Sequence, residues 1–416
     1  MIKRLYTKHK ETTHNYTWRA LQVLGTHGTS FFIFITCARL LSPYEFGIYN
    51  LVFAIIFFLI IFCDLGILAA TGKYVAEYHA TNKEKLESVL FNAGLTVLLL
   101  STSVTLFVLF FGENVFPEHY AHVLYIIPLL FLHPLYSLYE RVYSGLKRFR
   151  EQAVISLIIG GIMCGLVYLL IRLYGLKGAL ISQNLLYFLL LATLAIRYGK
   201  FQLKIDKTVF KEIGKYSLLI GVMQISSFMN RKVDVFFLGH YNYITEIGYY
   251  EIAYKLLKFL MVPFAILTQV IAPDITKNFS LKNYLPVREK LKKGIFISVL
   301  MASVLIVSFI FTKDYLLQSF LSKYYTEDMK HLLNLMIPVY FIQMLFGIIP
   351  SFAIATGHAK FNMIFFIVFG ILNVVLDYLL INFYGFFGVI YSTILIKYTG
   401  SFIFFYFYYR LLRKLH

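Results

Sequence analysis

Charged side chains are scarce in this sequence: Asp, Glu, Lys and Arg make up 14% of its 416 residues, against 59% hydrophobic residues. A soluble domain carries about a quarter charged residues, and no soluble fold could hide this much apolar surface. Cysteine (3), proline (9) and tryptophan (1) are also rare. Cys37, Cys63 and Cys164 all fall in apolar stretches, which excludes a disulfide framework or a zinc knuckle. The 11 histidines show no HExxH or other ligand spacing, so no metal site is expected, and Glu118-His119-Tyr120-Ala121-His122 reads as an exposed loop. A phosphate-binding glycine loop is absent, so no ATP-driven step is expected. So is the paired-carboxylate motif of a metal-dependent glycosyltransferase, and no catalytic residue is assigned.

What fills the sequence instead is long apolar runs, with 42 Phe and 33 Tyr and a mean hydropathy of +0.72. Runs of 18 or more apolar residues are read as membrane spans. About twelve are present, at roughly 18–38, 48–70, 89–111, 123–140, 152–173, 179–196, 216–240, 248–272, 294–312, 331–355, 362–382 and 387–409. Spans must be helical, because lipid offers backbone groups no partner. The loops between them are too short for a folded extramembrane domain. The net charge of +18 would suggest nucleic acid in a soluble protein, but its distribution points to the bilayer. With the N-terminus inside, alternate connections and both tails hold 27 Lys and Arg, and the opposite side holds 6. By the positive-inside rule both termini are expected to face the cytoplasm. The basic N-terminal tail precedes a span too long for a cleaved signal peptide, with no small-residue cleavage site.

The sequence repeats. Tyr168–Gly178 (YLLIRLYGLKG) and Tyr378–Gly388 (YLLINFYGFFG) agree at seven of eleven positions, 210 residues apart. Tyr44-Glu45-Phe46-Gly47-Ile48-Tyr49 is echoed by Thr245-Glu246-Ile247-Gly248-Tyr249-Tyr250 at 201, and Gly145–Phe149 by Gly357–Phe361 at 212. Six spans per copy make the repeat parallel, as in two-lobed carriers. Lobes 1–200 and 201–416 are expected, with prolines 128, 134, 263, 338 and 350 bending their spans.

Charges inside spans cost roughly 2.5–3.5 kcal/mol each on insertion scales, so they mark candidate sites. Span seven carries Gln224, Ser227, Arg231 and Asp234 at spacings that share one helical face, with Lys232 beside them. Span eight carries Glu251, Lys255 and Lys258. A turn centred near residue 244 would set Asp234 level with Lys255 and Arg231 level with Lys258. The hairpin has four positive and two negative groups, an excess that suits a lipid diphosphate, whose oxygens match the arginine fork. A structural reading stays open: Glu251 with Lys255, Asp234 with Arg231, and Lys258 reaching to the headgroups. Arg19 and Asp64, in spans one and two, are set at similar height and are expected to pair, as a gate or as a helix lock. Asp377 is placed near the outer surface, where solvation explains it, and Lys397 near mid-span, where a substrate or ion role is open.

The segment Arg39-Leu40-Leu41-Ser42-Pro43-Tyr44-Glu45-Phe46-Gly47-Ile48-Tyr49, with Asp64-Leu65-Gly66 after it, resembles the polysaccharide exporters of the multidrug/oligosaccharidyl-lipid/polysaccharide (MOP) superfamily. Gly248-Tyr249-Tyr250 and Pro273 resemble the second-half pattern. The resemblance covers most of the chain and implies an all-α integral membrane protein of about twelve transmembrane helices in two six-helix lobes. It implies a flippase of the bacterial inner membrane for undecaprenyl-diphosphate-linked repeat units of O-antigen, capsule or exopolysaccharide. Such a carrier has no cofactor, draws on a Na+ or H+ gradient or the membrane potential, and has a polysaccharide polymerase and a chain-length regulator as candidate partners. No nucleic-acid partner is expected. A drug or cation antiporter of the same superfamily is the nearest alternative. A membrane enzyme that polymerises or modifies glycans is the other, with Asp377 or His240 as its only near candidates.

Overall fold

The computed structural model describes residues 2–199 and 204–414. Among them every regular element is helical: α1 (Ile2–Leu40), α2 (Pro43–Asp64), α3 (Ile67–Thr81), α4 (Lys83–Val115), α5 (Tyr120–Ile126), α6 (Leu129–Gly145), α7 (Phe149–Tyr198), α8 (Lys207–His240), α9 (Ile244–Phe259), α10 (Val262–Ser280), α11 (Tyr284–Phe320), α12 (Glu327–Phe346), α13 (Ile349–Ala355), α14 (Ala359–Tyr384) and α15 (Phe386–Lys414), with a 3₁₀ turn at Ser322–Tyr324. All twelve apolar stretches fall on these helices, two of them on α7. Eight helices among the described residues are long and apolar enough to cross a membrane, or nine if α9 and α10, bent by 41°, count as one. Helix α8 is not among them, because Gln224, Asn230, Arg231, Lys232 and Asp234 interrupt its apolar middle.

Helix ends follow local chemistry. Ser42 starts α2 with a capping box: its hydroxyl accepts the Glu45 N–H, Glu45 reaches back to the Ser42 N–H, and Pro43 takes the first helical position. Asp206 starts α8 by accepting the N–H groups of Thr208 (2.8 Å) and Val209 (3.2 Å). Those bonds hold its carboxyl below the usual range. Its capping is therefore complete above the unfolded-state value of about 3.9 and lost as pH falls through the lower folded value. Of the span prolines, Pro134 and Pro338 sit inside helices. Pro128 instead caps the start of α6, and Pro263 and Pro350 are the second residues of α10 and α13, so they break spans outright.

The repeated blocks have a shared geometry. Gly175 (φ 55°, ψ −133°) and Gly385 (φ 56°, ψ −138°) adopt the same backbone turn, open only to glycine. Three residues on, a Cβ at Gly178 would lie 2.0 Å from the Leu170 carbonyl oxygen, and one at Gly388 would lie 2.2 Å from that of Leu380. The YG–G pattern thus reverses the chain between two spans with no loop at all. The repeat of Gly145–Phe149 is in register at 210, not 212: Lys147 (φ 58°) and Gly357 (φ 80°) are the left-handed residues, followed by matching bonds from Arg148 N to Tyr143 O and from His358 N to Ala353 O.

The expected lobe boundary at 200/201 lies outside the described residues. The chain divides into two compact units, Met1–Ile225 and Ser226–His416, so the division falls within α8. In the first unit α1 lies along α7 with Gly160 against Thr29, where a Cβ would lie 2.1 Å from the hydroxyl oxygen. In the second, Gly370 of α14 takes the equivalent place against Asn230 of α8, whose amide donates to the Phe366 carbonyl at 2.7 Å. Gly178→Val and Gly388→Val are each expected to cost about 1–3 kcal/mol through overpacking. Gly161→Ala, with nothing within 4 Å of the new Cβ, should be neutral or stabilising. Thermal unfolding of the purified protein checks all three.

Candidate functional site

Four helices of the second unit converge on a buried pair of carboxylates. Asp234 of α8 accepts hydrogen bonds from the Tyr250 hydroxyl of α9, from Asn373 Nδ2 of α14 at 2.8 Å, and from Thr393 Oγ1 of α15 at 3.1 Å. The same Asn373 amide donates to Asp377 Oδ2 at 3.2 Å. Asp377 is fully buried and Asp234 is 5% exposed. Among the described residues Oδ1 of Asp377 and the buried Ser392 hydroxyl make no well-formed hydrogen bond, although the two side chains lie within reach of each other. An unpartnered carboxylate oxygen inside a protein is costly unless a cation or proton joins it. The donor set is all oxygen once the Asn373 amide turns about its Cβ–Cγ bond to present Oδ1, which suits a hard cation. Among the described residues no group of three or more His, Cys, Asp or Glu side chains is placed to hold a metal ion.

This arrangement differs from the sequence expectation in three respects. The α8–α9 turn centres on Asn242, a left-handed residue (φ 62°), rather than on 244. Asp234 therefore meets Tyr250 instead of Lys255, and Lys232 pairs with Glu251, in place of a Glu251–Lys255 pair. Asp377 is also not solvated: depth along a span fixes height, while burial depends on what packs beside it. It shares a face with Asn373 one turn earlier, a spacing present in the sequence that went unread.

Basic groups stand beside the pair. Arg231, Lys258 and Lys397 lie within electrostatic reach of one another, and Lys397 also of Asp234. Arg231 and Lys258 are exposed and Lys397 is half-buried. Arg231 donates through Nε to the Ser227 carbonyl at 2.9 Å. None of the three makes an ion pair among the described residues. Lys255, one turn before Lys258 on α9, is half-buried.

Arg19 and Asp64 do not meet. Arg19 Nη1 donates to Gln22 Oε1 at 2.7 Å and Ser144 Oγ at 3.3 Å, and lies 3.7 Å from Glu140 Oε1. Asp64 ends α2 just before Leu65 and Gly66 turn the chain, which aims its carboxylate at α3. Its Oδ1 accepts the Leu68 N–H at 2.8 Å, and its Oδ2 accepts Gln224 Nε2 at 2.8 Å. Gln224 is thereby drawn to Asp64 and does not join the basic face of α8.

This is a membrane transporter fold. The chain superposes on the inward-facing conformation of a multidrug resistance MATE family transporter of the MOP superfamily with a TM-score of 0.76, at 15% identity over 95% of both chains. It is similar to a MOP superfamily transporter from Pyrococcus furiosus, described as having a binding pocket of reverse polarity, with a TM-score of 0.64 and 14% identity over 96% of this chain and 94% of that one. An outward-facing MATE family transporter gives 0.64 at 15% identity over 96% of both. No curated protein sequence matches the chain. The model of the polysaccharide biosynthesis protein family matches residues 12–279, and the MatE model matches residues 220–379. The chain belongs to the polysaccharide biosynthesis protein family, and it has the fold of MOP superfamily transporters.

Lys232→Met is expected to destabilise the protein by about 3–5 kcal/mol, because it leaves the buried Glu251 (1% exposed) without its partner. Adding Glu251→Gln should recover most of that loss, read as a double-mutant cycle of thermal unfolding.

Proposed function

We propose that this protein is a flippase that moves an undecaprenyl-diphosphate-linked oligosaccharide across the bacterial inner membrane for surface polysaccharide synthesis, by alternating access and with both termini cytoplasmic. The observation that carries the reading is the unpaired basic trio Arg231, Lys258 and Lys397 beside a buried carboxylate pair, in a chain of the polysaccharide biosynthesis family. Uncompensated cations inside a membrane protein need a counter-charge. A lipid diphosphate brings roughly two negative charges, and Arg231 offers it a planar donor fork. Lys255 and, through its pair with Glu251, Lys232 complete the basic side of the site.

Asp234 and Asp377 supply the coupling. A Na+ ion or a proton taken up between them relieves the repulsion of two neighbouring carboxylates and satisfies Asp377 Oδ1. A cation bound there also adjusts the field at Lys397, which ties ion occupancy to the charge felt by the substrate. The membrane potential adds roughly 2.3 kcal/mol per charge moved through 100 mV. A polysaccharide polymerase and chain-length regulator would receive the product on the far side.

A second reading has its own support. The MatE match and the acidic pair fit a cationic drug exchanged for an ion, with Asp234 as the cargo contact.

Reconstituted in liposomes, the protein should translocate a polyprenyl-diphosphate oligosaccharide. Arg231→Ala combined with Lys255→Ala should slow it at least ten- to hundredfold, the weight of one or two charge-assisted contacts. Unchanged translocation, or unchanged surface polysaccharide in cells, would remove the substrate assignment. In the same liposomes Asp377→Asn should abolish the dependence of rate on an imposed Na+ or pH gradient, and whichever gradient drives the parent identifies the ion. Efflux of a cationic dye by the parent, lost in Asp234→Asn, would favour the antiporter reading instead.

A further inference from the structure

The first unit holds a basic cavity of about 510 Å³ where α7 begins and ends, lined by Trp18, Lys147, Arg148, Arg150, Glu151 and Arg197. Glu151 is its scaffold. Arg148 binds it through Nε and Nη2, both at 2.7 Å, and Arg197 Nε reaches Oε2 at 2.7 Å. Each guanidinium keeps further N–H groups for a ligand. Arg150 lies over the Trp18 ring at 5.6 Å. Four cations thus surround one carboxylate, an excess of three.

The internal repeat shows that packing alone does not require this charge. At an offset of 210, Arg148, Glu151 and Arg197 correspond to His358, Phe361 and Phe407. There Phe361 and Phe407 stack at 4.6 Å and 11°, and His358 meets Phe407 at 5.3 Å. An apolar stack ties the same helix ends together in the second unit that an ion network ties in the first. Lys147 makes the same point from the backbone. It holds a left-handed conformation (φ 58°) where the repeat has Gly357 (φ 80°), a strained choice for a residue with a Cβ. Strain kept at one copy of a repeat, beside an open cavity, points to a use for that side chain.

We infer that this cavity binds the phosphate of an anionic phospholipid headgroup. Arginine forks match phosphate oxygens, and basic pockets between helix ends at a membrane surface hold such headgroups. The lipid source, rather than free phosphate, follows from the apolar part of the site. Val154 and Ile155 complete its lining, Ile196 beside Arg197 is 82% exposed, and the chain's single tryptophan, a residue type enriched at membrane interfaces, lines it too. The site is distinct from the Arg231 cluster, and its occupancy does not depend on what the protein transports.

Full-length protein in neutral detergent, titrated with phosphatidylglycerol or phosphatidylcholine of identical chains and read by native mass spectrometry, tests this. Phosphatidylglycerol should bind with at least roughly tenfold preference, and Arg150→Gln and Arg197→Gln should each weaken it roughly fivefold. Lys147→Gly should weaken binding without loss of thermal stability. The triple variant Arg148→His, Glu151→Phe, Arg197→Phe copies the stack that the second unit already folds with, and should lose the preference while keeping its unfolding temperature. Equal binding of the two lipids, or full preference in the triple variant, overturns the proposal. Displacement of the lipid by excess inorganic phosphate would assign the cavity to a soluble anion and overturn the lipid source.

Discussion

The cost of holding charge away from water organises this molecule. Where the chain can avoid the cost it does, with helices that satisfy their own backbone and with apolar faces turned to lipid. Where charge is kept inside, it is neutralised locally, as Lys232 neutralises Glu251, held by neutral donors alone, as Asp64 is, or left unmatched. The unmatched groups are of both signs and stand together: a basic trio at Arg231, Lys258 and Lys397, and an oxygen of Asp377 that makes no well-formed hydrogen bond. Because each sign is short of a partner, each can be completed by a different mobile ion. That is the physical condition for coupling two fluxes in one unit.

The two copies of the repeat have kept the parts that backbone geometry dictates. Gly175 and Gly385 agree in φ and ψ to within a few degrees, and the glycine at the α1–α7 crossing recurs at the α8–α14 crossing. Side-chain chemistry has diverged where geometry leaves it free. The buried carboxylate pair Asp234–Asp377 belongs to the second unit, and the arginine-lined cavity to the first.

Much of this was legible in the sequence, for a simple reason. Apolar runs, glycine turns and prolines act locally, so the helices and the chain reversals at Gly175 and Gly385 could be placed from residue type and spacing, and Pro128, Pro263 and Pro350 could be read as bends although they break their spans. The basic residues of α8 and α9 were also recognisable, since charge in a span is conspicuous. What sequence did not give was partnership. A shift of two residues in the α8–α9 turn sets Tyr250 rather than Lys255 level with Asp234, and the similar height of Arg19 and Asp64 along their spans does not bring them into contact. Asn373, Ser392 and Thr393 escaped notice because a polar uncharged residue in a helix is unremarkable until a carboxylate from another helix is set against it.

The loop-free reversal at Gly175 also bears on how the chain enters the bilayer. Its two arms are joined by no water-soluble connector, which suits insertion of α7 as a hairpin. The tip of that hairpin carries Arg172 and Lys177, whereas the matching tip around Gly385 has Asn382 and Phe387. In the orientation proposed above, the first hairpin would bring two hydrated cations through the membrane and the second none. Biogenesis of the two halves should therefore differ in its sensitivity to the membrane potential, even though the finished turns are alike.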